Sequence, residues 1–191
     1  MSFRCGDIAL VGKPNSGKST LLNHLVGQKV SITSRRAQTT RHRVAGILTE
    51  DDAQFIFLDT PGMQREQSNA LNKVLNRTAT TTARDADVVV FLVEACRFSD
   101  ADELALRQVP ASIKPILAVT KCDLVKEKQK LLSFLSTMAG KRDFAAIVPV
   151  SVKSDDSLAE LKRVIPDHLP TGEPRHEPDD FTDRSERFMA A

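Results

Sequence analysis

The apolar run Ile8-Ala9-Leu10-Val11 stops at Gly12-Lys13-Pro14-Asn15-Ser16-Gly17-Lys18-Ser19-Thr20, which fits G-x-x-x-x-G-K-[ST]. This junction constrains the fold more than any other part of the chain, because it requires a strand, a tight glycine-bearing loop and a helix in immediate succession. The glycines let successive backbone N–H groups turn inward, and a helix starting near Lys18 adds its positive end, so that the loop becomes an anion cradle. In such a cradle Lys18 would reach the β and γ phosphates of a nucleotide and the Ser19 hydroxyl would ligate Mg²⁺. A plain glycine-rich turn is the competing reading, disfavoured by the strand-loop-helix context.

The rest of the chain repeats the alternation. Apolar runs at 7–11, 44–49, 54–58, 88–93, 116–119 and 146–150 predict six strands, and segments near 18–26, 67–82, 100–108, 126–138 and 156–165 read as helices. Strands alternating with helices predict an α/β fold: a six-stranded, mostly parallel sheet with helices on both faces. Only Glu50-Asp51-Asp52-Ala53 separates the second run from the third, so that pair is expected as a hairpin with one antiparallel edge strand. From Pro166 onward the chain is proline-rich, charged and aperiodic. We expect one domain over residues 1–166 and a linker or tail over 167–191.

Composition removes several alternatives. The 191 residues suit a single core. The three cysteines, Cys5, Cys96 and Cys122, show no C-x-x-C spacing and suggest neither a disulfide framework nor a zinc site. With no Trp or Tyr, the chain has little with which to stack single-stranded bases. The net charge of +2 divides into an acidic tail at −4 and a mildly basic body, too small an excess to argue for nucleic acid or membrane. No apolar run approaches the roughly 18 residues of a membrane span, and the expectation is a soluble cytoplasmic protein.

A phosphate loop serves ATPases, kinases and GTPases alike, so the base must be identified elsewhere. Thr120-Lys121-Cys122-Asp123 follows the strand Pro115-Ile116-Leu117-Ala118-Val119. A carboxylate there can accept from guanine N1–H and N2–H₂, a pair of donors adenine lacks, which makes Asp123 the selector of the nucleotide. Lys121 can lay its aliphatic stem along the base and return its ammonium to the phosphate loop. Asp59-Thr60-Pro61-Gly62 follows another strand; Asp59 would hold Mg²⁺ through water and the Gly62 N–H would bond the γ-phosphate. Between the first helix and the second strand, residues 34–43 could offer Thr40 to Mg²⁺ and the γ-phosphate. Ser151-Val152-Lys153, after the last strand, would bring a backbone N–H to guanine O6.

Taken together, "GKPNSGKSTLLNHLVGQKVSITSRRAQTTRHRVAGI", "DTPG" and "FTDRSERFMA" resemble the Era family, bacterial GTPases of the Ras-like translation-factor group, over nearly the whole chain. The resemblance implies the Ras-like P-loop GTPase fold with strand order 2-3-1-4-5-6. It also implies binding of GTP and GDP with Mg²⁺, slow hydrolysis, and a role in small (30S) ribosomal subunit assembly through 16S rRNA. The nucleotide-binding set it implies is Gly12, Lys13, Pro14, Asn15, Ser16, Gly17, Lys18, Ser19, Thr20, Asp59, Thr60, Pro61, Gly62, Thr120, Lys121, Asp123, Ser151, Val152 and Lys153. Of the catalytic set (Lys18, Thr40, Gly62, Asn15), Asn15 would hold a potassium ion in place of an arginine finger; Ser19, Thr40 and Asp59 would be the metal set.

The sequence departs from the family pattern at several points. Family proteins continue into an RNA-binding KH domain after the TDRS segment; this sequence stops at Ala191 and has no G-x-x-G clamp, so that domain is expected to be absent. Thr120 stands for the usual Asn, with an expected weakening of the tie to the phosphate loop. Val152 stands for Ala beside the base, and Ser16 for the common Val.

Met63 occupies the place of the water-orienting Gln of Ras, which implies slow unaided turnover; Gln64 is read as a solvated side chain. Arg35, Arg36, Arg41, His42 and Arg43 read first as a solvated face and second as a ribosomal RNA contact. The expected protein is a monomer, with peripheral inner-membrane association allowed. Two alternatives stay open: a GTP/GDP-binding module with negligible turnover, and a P-loop kinase, which Lys121 and Asp123 disfavour.

Overall fold

The computed structural model describes residues 2–27, 44–62, 70–177 and 180, with backbone only at 44, 45, 59 and 70–72. Six strands form one sheet: β1 (Arg4–Val11), β2 (Val44–Thr49), β3 (Ala53–Asp59), β4 (Val88–Glu94), β5 (Ile116–Thr120) and β6 (Ala146–Pro149). Five helices connect them: α1 (Lys18–Val26), α2 (Ala70–Asp85), α3 (Asp100–Gln108), α4 (Lys128–Ala139) and α5 (Asp155–Val164). The order is β2-β3-β1-β4-β5-β6, as the family resemblance implies. All neighbours are parallel except β2 and β3, whose hairpin closes with Glu50 N–H on the Ala53 carbonyl at 2.8 Å.

The strands are continuous apolar runs because both faces of the sheet are covered. Alternation along each strand divides the core in two. Ile8, Leu10, Val88, Val90, Leu92, Ile116 and Ala118 pack on one face with Leu21, Leu22 and Leu25 of α1 and Leu158 and Leu161 of α5. Ala9, Val11, Val89, Phe91, Val93, Leu117 and Val119 pack on the other with Ala79 and Ala83 of α2, Leu106 of α3 and Met138 of α4.

Two elements differ from the sequence reading by more than two residues. Helix α2 runs to Asp85 rather than 82, because Ala83 is fully buried and extends its apolar stripe by a turn. Strand β1 begins at Arg4 rather than Asp7, with β3 on one side. On its other side β4 pairs only from Ile8 onward, and the early residues take partners from the C-terminal segment. Cys5 N–H donates to the Pro170 carbonyl at 3.2 Å, and Thr171 bridges Arg4 in antiparallel fashion.

Residues 169–177 therefore lie against the sheet. Leu169 is buried in the core. The buried Gln54 side chain accepts from the backbone N–H groups of Arg175 at 2.7 Å and His176 at 3.0 Å, and donates to the His176 carbonyl at 2.9 Å. Among the described residues no helix is long and apolar enough to cross a membrane.

Candidate functional site

Parallel strands deliver their following loops to one edge of the sheet, and ligands of open α/β sheets bind outside the carboxyl ends of the strands. The loops after β1, β3, β5 and β6 converge at that edge. In the first, Gly17 has φ of 101°, a left-handed geometry that favours glycine, and caps α1 without a Cβ in the way. Asn15 also takes a left-handed conformation, φ 62°, and is exposed. The Lys18 ammonium folds back over the loop, donating to the carbonyls of Gly12 at 3.2 Å and Lys13 at 2.9 Å. Ser19 and Thr20 stand half-buried on the first turn of α1.

The loop after β3 presses directly on this one. A Cβ at Gly62 would lie 2.6 Å from the Cα and N of Pro14, a backbone approach that only glycine permits. Thr60, itself buried, donates its hydroxyl to the Leu10 carbonyl at 2.5 Å, and Pro61 is buried beside it. The backbone of Asp59 is registered with Leu10 at the end of β1. Thr40, Met63, Gln64 and the basic cluster of Arg35, Arg36, Arg41, His42 and Arg43 lie outside the described residues.

At the end of β5 the Thr120 hydroxyl reaches the Ser16 carbonyl at 2.9 Å and the Val93 carbonyl at 3.2 Å, both buried. The tie ascribed to Asn in the family pattern is made here by a shorter side chain. Lys121, in a left-handed conformation, places its ammonium 2.8 Å from Glu94 Oε2 and 3.4 Å from the Asn15 carbonyl. Burial raises the Glu94 carboxyl, but the Lys121 hydrogen bond and the charges of Lys121 and Arg97 leave it net lowered.

Asp123 is held at both oxygens. Ser151 Oγ donates to Oδ1 at 2.9 Å and Lys153 Nζ lies 3.0 Å from Oδ2. The Lys153 hydrogen bond, then that of Ser151, holds this carboxyl below the usual aspartate range, so it is an anionic acceptor at neutral pH. Ser157 braces the same loop, accepting from Ser151 N–H at 3.0 Å and donating to the Ser151 carbonyl at 2.9 Å.

A cavity of about 210 Å³, lined mainly by apolar surface, opens between these loops; Gly17, Lys121, Asp123, Leu124 and Val152 contribute to its wall. Its composition suits a flat heterocycle with a few polar edge atoms. Cys122 is half-buried, and burial pushes its thiol up, which makes it a poor nucleophile.

The site also uses residues that no nucleotide motif marks. Glu94 holds Lys121, and Asp102 holds Lys13 through a 2.6 Å ion pair. The Ser99-x-x-Asp102 pattern of a capped helix start was a legible signal for Asp102; Glu94 carried none beyond closing an apolar strand.

Comparison with known proteins agrees with this geometry. The family described as 50S ribosome-binding GTPase matches residues 7–121. GTPase Era of Nitrosomonas eutropha is 51% identical over 189 residues, covering 99% of this chain and 64% of that protein. The chain thus spans a little under two thirds of the relatives it matches. A crystal structure of Era in complex with MgGDPNP and nucleotides 1506–1542 of 16S ribosomal RNA superposes with a TM-score of 0.90 at 37% identity, over 99% of this chain and 65% of that one. A variant of Aquifex aeolicus Era bound to GDP and aluminium fluoride matches with the same TM-score, identity and coverage. The chain belongs to the 50S ribosome-binding GTPase family and, within it, to the Era GTPases.

Proposed function

We propose that this chain binds GTP and GDP with Mg²⁺ and hydrolyses GTP slowly, as a switch acting in the cytoplasm on the assembly of the small ribosomal subunit. The observation that carries the reading is the Asp123 carboxylate, kept ionised at the wall of the cavity while Thr120 ties its loop to the phosphate loop. Residues 1–166 would form the catalytic domain, with the first part of the 167–191 segment packed against its sheet. The 16S rRNA contact comes by analogy with the relative whose structure contains that RNA.

Phosphoryl transfer to water depends on positioning and charge neutralisation more than on covalent chemistry. Lys18, already at the mouth of the loop, would exchange its carbonyl partners for phosphate oxygens. Gly12, Pro14, Ser16, Gly17 and Thr20 would shape the cradle, with N–H groups pointing inward. Gly62, seated against Pro14, would offer its N–H to the γ-phosphate, and the Thr60-Pro61 turn holds it there.

Ser19 and Asp59 would hold Mg²⁺, with Thr40 added in the triphosphate state. One hydroxyl and one carboxylate beside substrate phosphates is a donor set that Mg²⁺ accepts. Among the described residues there is no cluster of His, Cys, Asp and Glu that would hold a metal on its own. Mg²⁺ held by Ser19 and Asp59 would supply positive charge to the phosphates. Asn15, exposed at the loop's outer turn, would recruit potassium and so add positive charge.

Titration with GDP and with ADP tests the nucleotide reading. GDP should bind at least about 100-fold more tightly, a difference of about 2.7 kcal/mol, since ADP offers no pair of donors to the Asp123 carboxylate. Lys18→Ala should weaken GDP strongly. Equal affinity for the two nucleotides would contradict the assignment of Asp123.

A further inference from the structure

Lys13 lies inside the phosphate loop, and a lysine there is an obvious candidate for a phosphate ligand. Its side chain points elsewhere. The ammonium is 2.6 Å from Asp102 Oδ2 and 3.2 Å from Ser99 Oγ, at the start of α3. Asp102 is fully buried, whereas the Lys13 side chain is one-fifth exposed. The same Oδ2 accepts from the Ser99 N–H at 2.8 Å and the Ser99 hydroxyl at 2.7 Å, while Oδ1 has no hydrogen-bond partner among the described residues.

A buried carboxylate with one oxygen unsatisfied depends heavily on its cation. Moving Lys13 to a phosphate would leave that charge uncompensated in the interior, a cost that a solvent-screened phosphate contact does not match. Meanwhile the Lys13 carbonyl accepts from Lys18 Nζ at 2.9 Å and from Ser16 N–H at 3.3 Å, so the backbone at this residue is a fixed point of the loop. Glu94 and Lys121 repeat the device one strand end away, from the same β4-to-α3 connection.

We propose that Lys13 does not act on the nucleotide: with Asp102 it forms a brace that fixes the phosphate loop against α3, which makes Asp102 a positioning residue of the site. The proposal rests on the reading of the loop as the phosphate site. It assigns nucleotide affinity in part to a helix that carries no nucleotide motif. It also leaves Lys18 as the lysine of this loop that contacts phosphate.

The test is a set of dissociation constants for GDP and for a non-hydrolysable GTP analogue, measured on the chain, Lys13→Met, Asp102→Asn, the double variant and Lys13→Arg. A brace predicts that each single change weakens both nucleotides by the same factor, about 10-fold or more. It also predicts that the double variant is no worse than the weaker single one, and that Lys13→Arg restores binding. Three results would overturn it: a larger loss for the GTP analogue than for GDP in Lys13→Met, multiplication of the two effects in the double variant, or wild-type affinity in both single variants.

Thermal unfolding of the nucleotide-free proteins monitors folding. Should Asp102→Asn not fold, the ratio of GDP to GTP-analogue loss in Lys13→Met, with its rescue by arginine, decides the matter alone. Lys18→Ala serves as the control on the underlying reading. If it binds GDP as well as the unaltered chain does, the loop is not the phosphate site, whatever the brace does.

Discussion

The Thr120 hydroxyl lies 2.9 Å from the Ser16 carbonyl and joins the loop after β5 to the loop between β1 and α1 across 104 residues of sequence. Thr120→Val removes the one hydroxyl hydrogen that the buried Ser16 carbonyl accepts, at nearly constant side-chain volume. We predict a loss of about 1–2 kcal/mol in stability and about 10-fold in GDP affinity. Thr120→Asn should bind GDP at least as well as the unaltered chain. Urea unfolding and nucleotide titration check both.

We predict that Asp123 sets the acid limit of GDP binding. Its carboxyl is held below the ordinary aspartate value of 3.8, first by the Lys153 hydrogen bond and then by that of Ser151. A depressed carboxylate keeps its contribution at neutral pH and loses it only as the pH falls through the depressed value. Lys153→Ala should raise that value, so that GDP affinity begins to fall at a higher pH than in the unaltered chain. Titrations from neutral pH down to the onset of acid unfolding reveal the displacement.

Ser16 is fully buried, and its Oγ has no hydrogen-bond partner among the described residues. A buried hydroxyl without a partner costs desolvation and returns nothing. Ser16→Ala should therefore leave stability unchanged or raise it by about 1 kcal/mol, with GDP affinity preserved because the loop binds through its backbone. A fall in stability measured by urea would show that the hydroxyl has a role.

Arg142 closes the far end of α3. Its guanidinium donates to four carbonyls, those of Leu106, Val109, Pro110 and Ile113, at 2.6–3.1 Å. Arg142→Met should cost about 3 kcal/mol or more, through carbonyls left unpaired at a helix end. Arg142→Lys should recover only part of that, since an ammonium cannot span the four acceptors. The urea midpoint separates the two variants.

Element positions were legible because a sheet covered on both faces writes each strand as an unbroken apolar run, whereas the strand order was implied by the family resemblance alone. What was less legible depends on single polar residues. Arg4–Gly6 joins β1 by pairing with Ala53–Phe55 of β3 and, at Arg4 and Cys5, with backbone partners 165 and more residues away, which no local pattern announces. Gln54 looks like an ordinary polar residue at the start of an apolar run, yet it is fully buried and clasps Arg175 and His176, so residues that read as linker or tail lie on the sheet. Lys13 and Asp102 are 89 residues apart, and only the fold shows that the Lys13 ammonium turns to the start of α3.

The central claim is turnover of GTP by this constellation, and the direct measurement is multiple-turnover phosphate release with Mg²⁺, in potassium and in sodium, beside Lys18→Ala. We predict slow but sustained release that disappears in Lys18→Ala and is faster in potassium. Tight binding of GTP and GDP with no accumulation of phosphate would contradict the account and leave the chain a nucleotide-binding module without hydrolysis.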